Sequence, residues 1–348
     1  MTMRTKRFIT LFALLLFSGF ASIAQDIHFS QFHSAPLFLN PALAGVNGGN
    51  YRFVANFKTQ WTGLSSNTGG VYNTAAASYD MNLFKQQGHR GNYGGVGLFF
   101  FTDKAGDSQL RTTQVNLNLS YTVMLNKKQS ITSGIVGGLG HRSINYANLT
   151  FDNQYNGTNG ADPNAPNYEN FSTDKVLYPE LGAGFLWNYV KNEKFNLYLG
   201  GSAWHLTQPN LSFMDTRDEK LYVKFLVHAG GYFGVSEQIF ILPSILYMNQ
   251  GPHNQFNFGG LVKIRKSIIP SDRTAFYVGG WYRLKDAMIL TARVDVGSFN
   301  IGFSYDINLS GLTPASNANG GPELSLIYTG MFPSKKSQVM YCPPIGIL

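Results

Sequence analysis

Apolar and polar residues alternate along most of this chain with a period of two. In YRFVANFKTQW (51–61), Tyr51, Phe53, Ala55, Phe57 and Trp61 share one face, and Arg52, Asn56, Lys58 and Gln60 share the other. In QVNLNLSYTVML (114–125), Val115, Leu117, Leu119, Tyr121, Val123 and Leu125 oppose Asn116, Asn118, Ser120 and Thr122. Residues 286–296 and 298–309 do the same. Successive side chains of a strand point to opposite faces, so each run predicts a strand with one apolar and one polar surface. Turn-forming residues separate about fourteen such strands. They span 51–61, 70–84, 92–102, 109–125, 129–142, 177–190, 195–207, 220–233, 237–249, 254–267, 273–284, 286–296, 298–309 and 322–332. The fifth and ninth are glycine-rich or alternate poorly.

The connections sort by length. Those at 62–69, 103–108, 143–176, 208–219, 250–253, 285 and 310–321 fall at one end of the strands, and 85–91, 126–128, 191–194, 234–236, 268–272 and 297 at the other. The long ones gather in the first set, with Lys285 the exception. Outer-membrane barrels have short periplasmic turns and longer outside loops. An even strand number also brings both chain ends to the short-turn side. A soluble β-sandwich alternates too, but its outward face is polar. Here the apolar stripe persists on nearly every strand, with aromatics near strand ends, as at Tyr51 and Trp61, where membrane interfaces favour them.

Composition narrows the class. Charged residues make up 13%, about half the usual share for a soluble chain. Aromatics reach 14% and glycines number 38. Residues 1–24 read as a cleaved export signal: Arg4, Lys6 and Arg7, then an apolar run from Phe8 to Phe17, then Ser22-Ile23-Ala24. Beyond it, no apolar run reaches the roughly 18 residues of a membrane helix. An exported, charge-poor chain must then cross lipid with its backbone paired internally. The predicted fold is all-β: a transmembrane antiparallel β-barrel of about 14 strands over residues 51–332. Residues 25–50 precede it as a plug-like segment, and 333–348 follow as a periplasmic tail.

Candidate chemistry changes little. Three basic residues of the +8 net charge lie in the signal, and the remaining +5 forms no tract, so no nucleic-acid partner is expected. Cys342 is the single cysteine, which leaves no intrachain disulfide or thiolate metal cluster. The seven histidines show no close zinc spacing. Gly94-Gly95-Val96-Gly97 and Gly137-Gly138-Leu139-Gly140 lack the lysine and helix of a phosphate loop. His205 lies near Ser202 and Ser212 in sequence, but nothing fixes a nucleophile–base geometry. No catalytic residue, metal or cofactor is predicted, and the chain is read as non-enzymatic.

Two segments stand out. QDIHFSQFHSAPLFLNPALAG (25–45) has neither helical nor strand period. A barrel this wide is not filled by its own inward side chains. Phe29, Phe32, Leu37, Phe38, Leu39 and Leu43 are apolar, and burial would stabilise each by roughly 1.5–3 kcal/mol. Pro36, Asn40 and Pro41 favour turns. The segment is predicted to tuck into the periplasmic mouth or the lumen; a leader ordered only by a partner is the alternative. The longest connection (144–175) is dense in Asn, Gly, Asp and Pro and reads as a solvated loop. Asp152, Asp162, Glu169 and Asp174 there fit no EF-hand spacing.

The chain resembles the PorP/SprF family of type IX secretion membrane proteins of Bacteroidetes. The likeness rests on FSQF and PLFLNPALAG (29–45), FTDKAGDSQLRTTQ (101–114), FDNQYNG (151–157), AWHLTQPNLSF (203–213), FSYDINLSGL (303–312) and a late Cys-Pro (342–343). The tail departs from the family pattern by running on through Pro344 to Leu348. The resemblance implies an outer-membrane component of type IX secretion or gliding. Such a component binds, helps export or anchors secreted proteins, often through their C-terminal domains, and works with other secretion-machinery components. Cargo contact is then expected on the outside loops, from Tyr146, Phe151, Tyr155, Tyr168, Phe171, His205 and Pro209. A passive porin or FadL-like small-solute transporter with an N-terminal plug is the alternative, and a barrel hydrolase a distant third.

Overall fold

The computed structural model describes residues 26–60, 72–85, 91–106, 108–146, 149–155, 157, 160, 162, 165–166, 171–214, 218–269, 272–311 and 313–332. The export signal, Trp61, Tyr168, Glu169 and the tail with Cys342 lie outside the described residues.

Fourteen antiparallel strands close on themselves. They are β1 (Tyr51–Gln60), β2 (Tyr72–Leu83), β3 (Tyr93–Ala105), β4 (Leu110–Met124), β5 (Gln129–Ser143), β6 (Lys175–Asn192), β7 (Phe195–Trp204), β8 (Lys224–Gly234), β9 (Ile239–Gln250), β10 (His253–Arg265), β11 (Ala275–Arg283), β12 (Ala287–Val296), β13 (Phe299–Asn308) and β14 (Asn319–Gly330). Each pairs with its sequence neighbours, and β1 pairs with β14 from Tyr51↔Gly330 to Lys58↔Glu323. No strand is left with an open edge, the condition for surviving in lipid. Glycine-rich β5 and irregular β9 are both present, because ladder pairing to two neighbours compensates for weak alternation.

Alternation sets which side chains meet lipid. Outward residues such as Phe57, Leu117, Ile135, Phe185, Val278 and Phe303 are at least half exposed or nearly so. Inward ones such as Arg52, Asn118, Lys224 and Ser304 are buried. Outward aromatics gather where strands meet the short turns: Tyr51 lies 6.2 Å from Tyr79, 6.1 Å from Tyr328 and 5.4 Å from Phe332 between ring centres. Such a girdle suits the amphipathic rings to a headgroup layer.

The strand bounds differ from the sequence expectation by up to four residues: β8 starts at Lys224 instead of 220, and β7 ends at Trp204 instead of 207. His205 adopts φ +58° there, a left-handed conformation that stops the ladder. Its backbone N–H and side chain have other partners.

Candidate functional site

The lumen is the part of the molecule where the sequence does something unusual. Residues 26–50 run through it from one end to the other. The sequence predicts the periplasmic mouth or the lumen, and the lumen is where the segment lies: it begins at the long-connection end and reaches the short turns where β1 starts. The start of β1 and the end of β14 lie on the short-turn side, but Asp26 does not.

Asp26 sits among the upper ends of β6–β9. Its N–H donates to Gln250 Oε1 (3.1 Å), and its carboxylate accepts from Lys224 Nζ (2.8 Å) and bonds His205 Nε2 (2.6 Å). His205 turns its other edge to Glu180: the backbone N–H donates to Oε1 (2.8 Å) and Nδ1 bonds Oε2 (2.6 Å). A little further along, the N–H groups of Ser30 and Gln31 donate to the two oxygens of Glu323 (2.7 and 3.0 Å). Ser30 Oγ donates to Asp306 (2.6 Å), while Lys58 donates to the His28 carbonyl (3.1 Å). Arg283 also reaches Asp306 (3.2 Å). Carboxylates on the wall thus satisfy backbone donors of a segment that makes no ladder of its own, as buried N–H groups require.

Midway, Phe32 and His33 pack against Trp281, with ring centres 6.0 and 4.8 Å apart. A single helical turn (Pro36–Leu39) then buries Leu37 completely. Asn40, also fully buried, accepts from the Ala42 N–H (2.9 Å) and donates to the carbonyls of Phe185 (2.9 Å) and Gly201 (3.2 Å). Its amide both caps the following turn and ties it to the wall. The wall makes room for this turn with glycine. A Cβ at Gly134 would stand 2.4 Å from Ala42 N, and one at Gly95 2.1 Å from the Ala44 carbonyl. Beyond it, Arg52 and Asp80 pair at 2.8 Å and together hold Leu43, Gly45 and Asn47.

Electrostatics locks the upper end. Burial alone would push the His205 imidazole down, but Asp26 and Glu180 override it and raise its pKa to about 9. Burial opposes the Asp26 charge as well, yet His205 and Lys224 hold the carboxyl well below its usual range. Release would return the Asp26 carboxyl to about 3.8, while His205, which stays on the wall beside Glu180, would lose the part of its rise that Asp26 supplies. The charged histidine's hold on Asp26 is therefore present at neutral pH and is lost as pH climbs through about 9; the depressed carboxylate contributes above 3.8 and is lost in acid. Upper-end release, read as flickering openings in a bilayer, should therefore be rare near neutral pH and grow toward about pH 9. A flat profile from neutral to alkaline pH would count against this.

The outside candidates behave differently from one another. Tyr146 stacks on Phe171 (3.9 Å) and meets Phe213 edge-on (6.4 Å); Phe151 lies 5.9 Å from Phe171. The N–H groups of Ser172 and Thr173 donate to the Phe213 carbonyl. The connection after β5 and the one after β7 are thereby joined into one surface. Tyr155 is 62% exposed on it, and Pro209 is half-buried, accepting the Leu221 N–H (2.9 Å). His205 is corrected: at 3% exposure it is an internal tie, out of a partner's reach. All six plug candidates are inside. Phe29, Phe32, Leu37, Asn40 and Pro41 are buried and Phe38 is half-buried, 5.6 Å from Phe29 and 5.8 Å from Phe99. Sequence reasoning passed over Asp26, Asp80, Glu180, Lys224 and Glu323. The last four lie on the polar side of the alternation, which marks them as lumenal without naming a partner. Among the described residues, no group of His, Cys, Asp or Glu is arranged to hold a metal ion.

Residues 21–328 match the family described as type IX secretion system membrane protein PorP/SprF. No curated protein matches in sequence. Among solved structures, the fold is similar to the Ralstonia pickettii toluene transporter TbuX (12% identity, 89% of this chain and 95% of that one, TM-score 0.48). It is also similar to the P. putida toluene transporter TodX (10% identity, 86% and 95%, TM-score 0.48) and to the KdgM porin (6% identity, 80% and 98%, TM-score 0.36).

Proposed function

The chain belongs to the PorP/SprF family of type IX secretion system membrane proteins, and from that premise we propose that it is a docking barrel. It sits in the outer membrane with its long connections at the cell surface. It holds secreted type IX proteins there through their C-terminal domains, in secretion or in gliding, and it performs no catalysis. The observation that carries this reading is the occupied lumen. A conduit for polypeptide or solute needs a clear path, whereas residues 26–50 take up this one and are tied to the wall at both ends by buried charged groups. Among the described residues, a surface available to a secreted protein is the one where the connections after β5 and β7 join, and there Tyr155 offers an aromatic anchor of the kind that dominates interfaces.

The test is co-purification from the native outer membrane. The intact barrel should bring a secreted polypeptide with it in stoichiometric amount. Replacing 144–174 with a short turn should remove that polypeptide while the barrel still shifts on heating in a gel. Cargo that remains bound, or a lone barrel that conducts solutes, would overturn the reading in favour of another site or of transport.

A further inference from the structure

Charge inside the barrel is balanced at one mouth and unbalanced at the other. Toward the long connections, Lys58, Arg283, Lys224 and His205 face Asp306, Glu323, Asp26 and Glu180. At the short-turn end, Arg52 and Asp80 neutralise each other on the β1–β2 wall. The opposite wall has no such match. Lys263 and Arg265, at the end of β10, and Arg293 on β12 all face inward around one carboxylate, Asp295. Lys263 Nζ lies 3.8 Å from it and Arg293 Nε 3.5 Å. That carboxylate is already engaged by the Tyr277 hydroxyl and the Asn300 amide, each donating at 2.5 Å.

Two cations are left with spare capacity. Among the described residues Arg265 has no ion-pair partner, and the buried Nε of Arg293 makes no hydrogen bond. Aromatic faces line the site instead: Tyr277 lies 5.1 Å from Lys263 and 4.5 Å from Arg293, and Phe240 lies 4.4 Å from Arg265. Such faces attract cations without cancelling their charge. The N-terminal segment does not neutralise the wall. The hydrogen bonds of residues 40–50 go to β1, β2, β4, β6–β8 and β14, and among the described residues none reaches β9–β12. Solvent does reach it: Lys263 is 12% and Asp295 20% exposed, and Lys266 and Arg273 stand exposed on the adjoining turn.

We propose that this mouth binds an acidic peptide segment, the Asp or Glu side chains of a partner reaching in from the periplasm. Excess positive charge with low-dielectric walls concentrates anions, and guanidinium groups on two strands suit separate carboxylates better than one small ion. The aromatic faces give a peptide an apolar wall to lie on. The chain's own tail has the wrong sign, since residues 333–348 carry Lys335 and Lys336 and no acidic side chain. The inference relies on the docking-barrel reading only for which end faces the periplasm.

The probe is a fluorescein-labelled octapeptide of Glu and Asp, titrated by anisotropy against the full-length protein in micelles, with its Gln/Asn counterpart as control. Saturable binding of the acidic peptide alone, weakening with salt, is expected. K263Q/R265Q should weaken it about tenfold. D295N, which removes the competing carboxylate, should tighten it severalfold and carries the test if the double variant fails to fold. Absence of saturable binding, indifference to both variants, or displacement by millimolar inorganic phosphate would each overturn the proposal. Cargo co-purification with K263Q/R265Q should be unchanged, so loss of this site and loss of surface docking are read separately.

Discussion

Deletion of residues 26–45 should turn a closed barrel into a steadily conducting one. The wall does not need the segment to close, since β1 pairs with β14 along its own ladder. What the segment supplies is volume. It fills a lumen lined by short or polar side chains, among them Gly95, Gly97, Gly134, Gly184 and Gly200, several of which a Cβ would push into residues 37–44. A barrel of this strand number without a plug holds an aqueous channel, so single-channel conductance should rise roughly tenfold or more. Gly134→Leu should reach the same result by the opposite route, since its side chain would take the place of Pro41 and Ala42. Equal conductance in the intact and deleted proteins would mean that water already passes beside the segment, and the docking reading would lose its main support.

The barrel itself was readable because lipid on one side and a polar lumen on the other impose a two-residue period that no other force disturbs. Arg52 and Lys58 fall on the inward face by that period alone, and both are inward, as are Arg283 and Arg293 further along the chain. Their partners were not readable with the same certainty. Arg283 and Lys58 meet at Asp306, but Arg52 meets Asp80, 28 residues away on β2. The direction of residues 26–50 was less accessible still. It is decided by Ser30 and Gln31 donating to Glu323, nearly the full chain length away, and by Asp26 finding Lys224 and His205. A segment without a period announces that it is irregular and apolar, but not which end of a tube it enters. The aromatics of the longest connection were hard to tell apart for a related reason. Composition marks them as adhesive, yet Tyr146, Phe151 and Phe171 spend much of that adhesion on one another and on Phe213. Among the described residues of that connection, Tyr155, with no signal to distinguish it, is the aromatic left in the open.

Replacing Asp80 with alanine should be among the most damaging single substitutions in the barrel. Both partners of the Arg52–Asp80 pair are essentially excluded from solvent, at 1% and 0%. The guanidinium donates twice to the carboxylate, through Nε at 2.8 Å and Nη2 at 3.1 Å, and once to the Leu43 carbonyl at 3.1 Å. The same carboxylate accepts from the Gly45 N–H and from Asn47. Removing it strands a buried positive charge and two donors together, a loss of about 3–5 kcal/mol. Asp80→Asn keeps the shape and some of the hydrogen bonds and should cost less. Arg52→Met combined with Asp80→Leu removes both charges, so it should recover much of the stability lost by Asp80→Ala. Chemical unfolding in micelles gives the three values, and the coupling between the two positions isolates the pair from its neighbours. The double variant bears on mechanism too. If it is stable yet conducts, the pair's main task is to hold Leu43 to Asn47 in place rather than to hold the barrel together. If it is stable and closed, apolar packing of Leu39, Leu43 and Val46 against Val136 and Leu186 is enough to keep the segment inside.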